Sequence, residues 1–501
     1  MPDAVLAIDQ GTTGSTALVL DGDGRVLGRA TEEFTQHYPQ PGWVEHDPQE
    51  IWRVSLGVIE AALGEARLAE GELRAIGITN QRETAVVWER STGEPVHPAI
   101  VWQSRQTADI CQEIRDNGLE PQITERTGLV VDPYFSGSKV KWILDLYQDA
   151  RARAEAGDLA FGTIDTWMLY RLTGGQVHAT EPTNASRTLL YNIRELSWDP
   201  DLLDIFGVPA AMLPEVKPSS GVFGTTVPSG ALPGGVPVAG IAGDQQAALY
   251  GQGCWQPGMS KNTYGTGCFV VVNTGAELRR SCCGLLTTVC CDARGGPAYA
   301  LEGSIFTTGA AIQWLRDEMN LIGSAVETED VASRVHDTQG VYVVPAFTGL
   351  GAPYWDMDAR GAIVGLTRGT GREQIIRATL DSIAYQTRDV VDAMNKDCAE
   401  PVHELRADGG AAANNHLMQF QADILGVPVV RPRLLETTAA GSAFLAGLGV
   451  GLWRDPEELE GAWREDRRFE PKMDAAERDR LYHGWRRAVE RVRADRRESD
   501  R

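Results

Sequence analysis

A tight turn of glycine and threonine that runs directly into an apolar, β-branched strand occurs twice in this chain. The first stretch is Ala7-Ile-Asp-Gln-Gly-Thr-Thr-Gly-Ser-Thr-Ala-Leu-Val-Leu-Asp21, and the second is Lys261-Asn-Thr-Tyr-Gly-Thr-Gly-Cys-Phe-Val-Val-Val-Asn273. Glycine admits backbone geometries and close approaches that a Cβ would block. Backbone N–H groups and threonine hydroxyls in such turns can point at phosphate oxygens. Two of these turns, about one domain apart, could close on a nucleotide from opposite sides.

A chain of 501 residues can bury two separate cores. Its 47 basic and 69 acidic side chains give a net charge of −22, which argues against nucleic acid as a partner. No basic leader precedes a long apolar segment, and no run reaches the roughly 18 apolar residues of a membrane helix. A cytoplasmic protein with no membrane span is expected. Eight cysteines do not make a disulfide framework. Four of them form the doublets Cys282-Cys283 and Cys290-Cys291, which flank the apolar run Gly284–Val289. Adjacent cysteines lack the CxxC-like spacing of a four-thiolate zinc site, so free thiols are the expectation.

Periodicity and turn signals predict an α/β order. Val5 to Leu20 and Arg25 to Thr31 read as strands around Asp21-Gly-Asp-Gly24. Pro48 to about Ala69 reads as a helix with Asp47 as its cap. Leu73 to Thr79 reads as a strand that delivers Asn80-Gln-Arg-Glu-Thr84. Trp102 to about Asp116 reads as one helix. The strand Val236 to Ile241 ends at Gly243-Asp-Gln-Gln246, and a domain boundary falls near residue 250. This divides the chain into 1–250 and 251–501. Further on come helices over Ala310–Glu318 and Arg372–Met394, strand Val427–Val430 and an Ala/Gly-rich helix Thr437–Leu448. The tail from Asp466, with alternating charges and sparse apolar residues, reads as a solvated helical end.

Three short apolar strands each deliver a carboxylate beside glycine: Asp9 before Gly11, Asp244 after Gly243, and Asp408 before Gly409-Gly410. Ligands of α/β folds sit at the carboxyl ends of strands. A lone aspartate there could merely cap a helix, but three in one nucleotide-like context favour chemistry. Phosphoryl transfer needs a metal near the phosphates, donors for the equatorial oxygens, and a group to orient or deprotonate the attacking hydroxyl. Asp9 suits Mg²⁺, directly or through water, and Asp244 suits the base. The chain has no GxxxxGK[ST] sequence and no HRD or DFG motif, so it is neither a P-loop enzyme nor a protein kinase.

Ile8-Asp-Gln-Gly-Thr-Thr13, Asn80-Gln-Arg-Glu-Thr84, Thr183-Asn-Ala-Ser-Arg-Thr188, Gly243-Asp-Gln-Gln246, Asn262-Thr-Tyr-Gly-Thr-Gly-Cys-Phe269 and Asp408-Gly-Gly410 together resemble the carbohydrate kinases, and within them the glycerol kinases. That family shares the fold of actin-like and heat-shock ATPases. The resemblance spans roughly residues 4 to 455. It implies two ribonuclease-H-like α/β domains of the actin-like ATPase superfamily, with ATP and the acceptor in the interdomain cleft. It implies transfer of the ATP γ-phosphate to the 3-hydroxyl of glycerol, with Mg²⁺ at Asp9 and Asp244 as base. The acceptor positions it implies are Arg82, Glu83, Trp102, Tyr134, Asp244, Gln245 and Phe269. The nucleotide positions are Thr12, Thr13, Gly14, Thr266, Gly309, Gly409, Gly410 and Asn414. It also implies a homo-oligomer, a dimer or tetramer.

Each position has an ordinary alternative: core packing for Trp102, Tyr134 and Phe269, a surface ion pair for Arg82-Glu83, and a structural network for Asn184, Ser186 and Arg187. Two departures stand out. Thr16 occupies a position where the family carries arginine, and Ser104 and Gln106 replace charged residues. They leave another small polyol or a ketose such as xylulose as the alternative acceptor. A non-enzymatic ATP-binding protein of the same fold is a third reading, against which Asp9 and Asp244 both weigh.

Overall fold

The structure, a computed structural model, describes residues 3–493. Two mixed sheets are built on one strand plan. In the first sheet, β1 (Ala4–Gln10), β2 (Gly14–Asp21) and β3 (Val26–Glu33) form an antiparallel meander. Helix α1 (Pro48–Ala66) follows, with the Asp47 side chain accepting from the Gln49 N–H. Strand β4 (Leu73–Asn80) pairs parallel to β1. After a long insertion, β5 (Ser220–Thr225) and β6 (Pro237–Gly243) complete the order β5-β6-β4-β1-β2-β3, with β6 parallel to β4. Helix α2 (Asp244–Gly251) leads out of this sheet.

The second sheet repeats the plan. Strands β7 (Ser260–Tyr264) and β8 (Cys268–Gly275) form the second hairpin. Next come β9 (Leu286–Cys291), β10 (Pro297–Ile305), helix α3 (Gly309–Asp317) and the long helix α4 (Arg372–Asp397). Strand β11 (Leu405–Asp408), helix α5 (Asn415–Leu425), strand β12 (Val429–Pro432), helix α6 (Thr437–Gly449), strand β13 (Glu465–Phe469) and helix α7 (Ala475–Glu490) end the described chain. The strand order is β9-β10-β8-β7-β11-β12-β13. In the first sheet a three-stranded antiparallel meander, and in the second four antiparallel strands in the order β9-β10-β8-β7, are extended by two parallel strands, and the glycine-threonine turn joins the first two strands of each antiparallel set. The insertion between β4 and β5 carries its own core around Val87, Phe135, Ile143 and Phe206.

Three expectations change. Residues 5–20 are two strands, because the turn at Gly11–Thr13 folds β2 back on β1, with Gly11 N–H donating to the Gly14 carbonyl. Helix formation after Trp102 begins only at Ala108. The preceding segment is held in turns by side chains: Ser104 Oγ accepts from Val44 N–H and donates to Gln106 Oε1, and Gln106 reaches Glu45. The tail is integral to the second sheet. Strand β13 pairs with β12, and Trp485 and Tyr482 of α7 both donate to the buried Asp389 carboxylate. Residues 494–501 of that tail lie outside the described residues.

Helix α6 belongs to the second half in sequence but lies on the first sheet and on α2. It packs Ala439, Ala443 and Ala446 against Val5, Ala7 and Ala239. The approach is backbone to backbone. A Cβ on Gly441 would overlap the Ala247 carbonyl, and one on Gly77 would overlap the Ser442 carbonyl. Gly441→Ala should therefore lower the urea midpoint, costing ~1–3 kcal/mol as an overpacked contact. Gly64→Ala is the control: it sits inside α1 with no atom within 4 Å of a new Cβ, and it should stabilise by ~0.5–1 kcal/mol. A Gly441→Ala protein as stable as the parent would rule out the close docking.

Candidate functional site

The parallel strands β4 and β6 end side by side, Asn80 opposite Gly243. Chain leaving β4 supplies Arg82 and Glu83, and chain leaving β6 supplies Asp244 at the first turn of α2. Gly243 is what lets Arg82 through, since a Cβ there would lie 2.7 Å from Arg82 Cγ. Glu83 has φ of 61°, a left-handed geometry that costs a non-glycine residue energy and persists only when its surroundings impose it. Lys139 imposes it here, donating its Nζ to the Glu83 carbonyl at 3.0 Å and to the Tyr134 carbonyl at 2.5 Å.

Arg82 and Arg187 meet two carboxylates in a buried cluster that crosses between the sheets. Arg82 holds Glu302 of β10 through both terminal nitrogens, at 2.5 and 3.2 Å. Arg187 donates to Glu302 at 3.0 Å and to Glu83 at 2.6 Å. Arg82 Nε lies 3.0 Å from Asp244, whose carboxylate keeps 29% of its surface exposed while Arg82 keeps only 2%. Burial alone would raise the Glu302 carboxyl, but the Arg187 and Arg82 guanidiniums outweigh it and bring it down to about 2. Glu83 ends above its ordinary value, because burial there outweighs the same two arginines.

Aromatic side chains wall this cluster. The Arg82 guanidinium lies 5.8 Å from the Phe269 ring centroid, and Trp102 lies 5.4 Å from Tyr134 and 6.4 Å from Phe269. The Trp102 indole N–H donates to Thr12 Oγ1 at 2.8 Å, which joins this wall to the first hairpin. Gln245 accepts from the buried Lys261 ammonium, which also donates to Thr263 at 2.8 Å. All seven acceptor candidates thus fall in one contiguous region, with the polar groups of Arg82, Glu83 and Asp244 at its floor.

The nucleotide candidates are less uniform. Asp9, at the end of β1, is pushed up to about 7 by burial and by the Asp244 and Glu436 carboxylates. Asp244 has Arg82 and Glu436 has Arg29, whereas Asp9 has no hydrogen-bond or ion-pair partner among the described residues. An unneutralised carboxylate among hard oxygen donors fits a magnesium ion. Thr13 gives its carbonyl to Phe34 N–H, and Gly14 lies so close to Glu32 that a Cβ would be 2.7 Å from its carbonyl. Thr266 is exposed at the tip of the second hairpin. Gly309 packs against that hairpin, where a Cβ would be 2.5 Å from the Gly265 carbonyl, and the N–H groups of 308–310 donate to the carbonyls of Gly265 and Thr266. Gly409 has φ of 83° and backs onto Tyr264, whereas Gly410 faces open space. Asn414 spends both ends of its amide on the protein, accepting from Leu417 N–H as the cap of α5 and donating to Thr328. Thr16 is engaged by Thr31 at 3.0 Å.

Sequence reasoning missed Glu302, Lys261, Lys139 and Glu436, and it left Arg187 as a structural residue. A signal existed for two of them. Glu302 is a lone charge inside the apolar stretch Tyr299-Ala-Leu-Glu-Gly-Ser304, and Lys261 is the second residue of a strand with no exposed position. Buried charges are almost always paired. Asn184 keeps a structural place, exchanging hydrogen bonds with Asn80 at 3.0 and 3.1 Å.

Comparison with known proteins agrees along the whole chain. Residues 4–251 match the N-terminal domain of the FGGY family of carbohydrate kinases, and residues 260–450 match its C-terminal domain. A glycerol kinase of Carboxydothermus hydrogenoformans is 60% identical over 489 residues, covering 98% of each chain. The crystal structure of Plasmodium falciparum glycerol kinase with ADP superposes with a TM-score of 0.91 at 36% identity, covering 98% of each chain. Ligand-bound xylulose kinase of Lactobacillus acidophilus shares the fold, with a TM-score of 0.84 at 22% identity over 97% of this chain and 98% of that one.

Glu302→Gln should leave two buried guanidiniums short of one negative charge and cost ~3–5 kcal/mol in urea unfolding. The pH dependence has a definite sign. A carboxyl held near 2 stabilises fully above its ordinary value of 4.5, and the stabilisation is lost as pH falls through about 2. The difference in stability between parent and variant should therefore shrink across that window; a constant difference would remove the charge from the argument.

Proposed function

We infer that this chain, which belongs to the FGGY family of carbohydrate kinases, phosphorylates glycerol with ATP. The observation that carries the reading is the set of Arg82, Glu83 and Asp244 on the floor of an aromatic-walled region beside the first glycine-threonine hairpin. It is supported by the glycerol kinase names of relatives that match end to end. A three-carbon triol offers hydroxyls at both ends and a short apolar back. Glu83 and Asp244 would accept from those hydroxyls and Arg82 would donate to them. Trp102, Tyr134 and Phe269 would cover the carbons and exclude water, which limits wasteful ATP hydrolysis.

Asp244 would orient the attacking hydroxyl and take its proton as transfer proceeds. Arg82, at 3.0 Å, fixes the direction of that carboxylate. Because phosphoryl transfer has a loose transition state in most analyses, positioning and charge count for more than early proton abstraction. Thr12, Thr13, Gly14 and Thr266 would meet the phosphates, while Gly309, Gly409, Gly410 and Asn414 would line the adenosine side. Asp9 would hold magnesium, directly or through water; bound there, the ion would neutralise charge on the phosphate oxygens. On this reading residues 1–250 carry the acceptor and the first hairpin, and residues 251–501 carry the second hairpin and the adenosine. The protein works in the cytoplasm as a homo-oligomer.

A second acceptor reading, another polyol or a ketose, is favoured by Thr16, whose hydroxyl is engaged with Thr31 and brings no positive charge. Purified protein with ATP and Mg²⁺ should turn over glycerol faster than erythritol, dihydroxyacetone, xylulose or ribulose. Strong activity on a ketose with little on glycerol would overturn the first reading. Asp244→Asn should retain nucleotide affinity and lose ~10²–10⁴-fold in kcat, the usual contribution of a general base; unchanged turnover would remove Asp244 from that role. Phe269→Ala should raise the acceptor KM and increase ATP hydrolysis without acceptor, measured as ADP release.

A further inference from the structure

The two cysteine doublets look alike in sequence but fold into opposite situations. Cys290 and Cys291 lie in strand β9, where successive side chains alternate. Both are buried, and they join different apolar clusters on the two faces. Cys282 and Cys283 precede that strand in a turn, where alternation does not apply. Their Sγ atoms are 3.7 Å apart, and Cys282 Sγ is 3.0 Å from Asp397 Oδ1. The two sulfurs and one carboxylate oxygen of Asp397 all lie within 4.8 Å of one another.

We propose that Cys282, Cys283 and Asp397 form a binding site for a thiophilic divalent cation, zinc or cadmium, outside the kinase site. Two thiolates each about 2.3 Å from one tetrahedral zinc are separated by about 3.8 Å. The sulfurs already hold that spacing, and a carboxylate oxygen is the third ligand, which leaves a fourth position for water. The adjacent pair needs no CxxC spacing, because the turn itself aims both side chains to one side.

The surroundings hold the three groups in place. Ser281 Oγ donates to Asp397 Oδ2 at 2.5 Å and accepts from the N–H groups of Cys283 and Leu285. The Cys282 N–H donates to Asp397 Oδ1 at 3.2 Å. Gly284 has φ of 80°, with room for no Cβ against the Pro353 carbonyl, and its own carbonyl accepts from the Trp355 indole at 2.6 Å. Asp397 is the last residue of α4, a helix of 26 residues whose carbonyl end favours a cation. Hydrogen bonding to Asp397 pushes the Cys282 thiol up to about 11.

Binding forms two metal–sulfur bonds and one metal–oxygen bond and releases two protons to solvent, with no change of oxidation state. Loop 279–285 would be tied to the end of α4, and the bound state would be stabilised by mass action.

Reduced, chelator-treated protein titrated with Cd²⁺ should develop a thiolate-to-metal charge-transfer absorbance that saturates at one equivalent. The same protein should take up one Zn²⁺ in competition with a chromophoric chelator, release two protons, and melt at a higher temperature. Cys282→Ser/Cys283→Ser should lose the band and the thermal shift. Asp397→Asn should weaken binding by about tenfold or more. Cys398→Ser, which changes the neighbouring thiol, should leave both signals intact. A band of equal amplitude in the double serine variant, or no band in the parent at excess Cd²⁺, would overturn the proposal. Near-surface serines at 282 and 283 leave the fold intact, and unchanged glycerol phosphorylation checks it.

Discussion

The contact on which the rest of the site depends is the buried pairing of Arg82 and Arg187 with Glu302 and Glu83. Glu302 comes from the second sheet and the other three from the first half of the chain. Taking such ions out of water is expensive, and the attraction between them repays the cost only when geometry is close to ideal. The cluster is therefore a constraint on position more than a source of stability. If the sheets shifted by a few ångströms, Arg82 and Arg187 would each lose a carboxylate partner in a dry interior. Arg82 is thereby fixed, and with it the carboxylate of Asp244. Asp244, held by Arg82, is the part-exposed carboxylate beside this cluster, and Phe269 and Tyr134 lie against its guanidiniums, so on the proposed reading the pairs that join the halves also set the groups that meet the acceptor.

A second constraint acts from the opposite direction. Helix α6 reaches back from the second half and lies on strands β4 and β6 through glycines, with no side chain between backbones. Helix α2, which begins with Asp244, is packed against the same helix at Gly251 and Gly441. The proposed base thus sits on an element clamped between its own sheet and a helix from the other half. Close-packed interiors transmit strain instead of absorbing it. A displacement of one half is felt at Asp244 through α6 and at Arg82 through Glu302.

Much of this was legible in the sequence, and the gaps have physical causes. The hairpins at Gly11–Gly14 and Gly265–Gly267, the carboxylates at strand ends and the strand delivering Arg82-Glu83 are local patterns, set by turn chemistry and alternation. The helix expected from Trp102 begins only at Ala108 because the intervening segment is shaped by partners far away, Thr12, Val44 and Glu45, which no local periodicity encodes. The tail was misread for the same reason: a charged surface pattern concealed Trp485, whose partner Asp389 lies 96 positions earlier. Glu302 carried a readable signal, a lone charge in an apolar strand, but nothing local names Arg82 and Arg187 as its partners. The cysteine doublets show the limit most plainly, since two identical dipeptides diverge according to whether a strand or a turn holds them.

The hairpins that look equivalent in sequence are not equivalent in charge. At the second, the carbonyls of Gly265 and Thr266 already engage the N–H groups of 308–310, so the start of α3 brings no free donors to a phosphate in this conformation. At the first, Asp9 brings negative charge and Thr16 brings none that is positive. Positive charge near the proposed transfer must then come from elsewhere in the cleft. Lys261 is a buried cation beside Gln245, at the start of α2. Burial lowers it to about 8, against the pull of Asp408, Asp244 and Glu302. An anionic ligand beside it would add to that pull and hold the ammonium charged. Arg82 and Arg187 are balanced by carboxylates, whereas Lys261 spends its donors on Gln245 and Thr263; on the proposed reading, the charge beside the phosphates is therefore completed by what binds there.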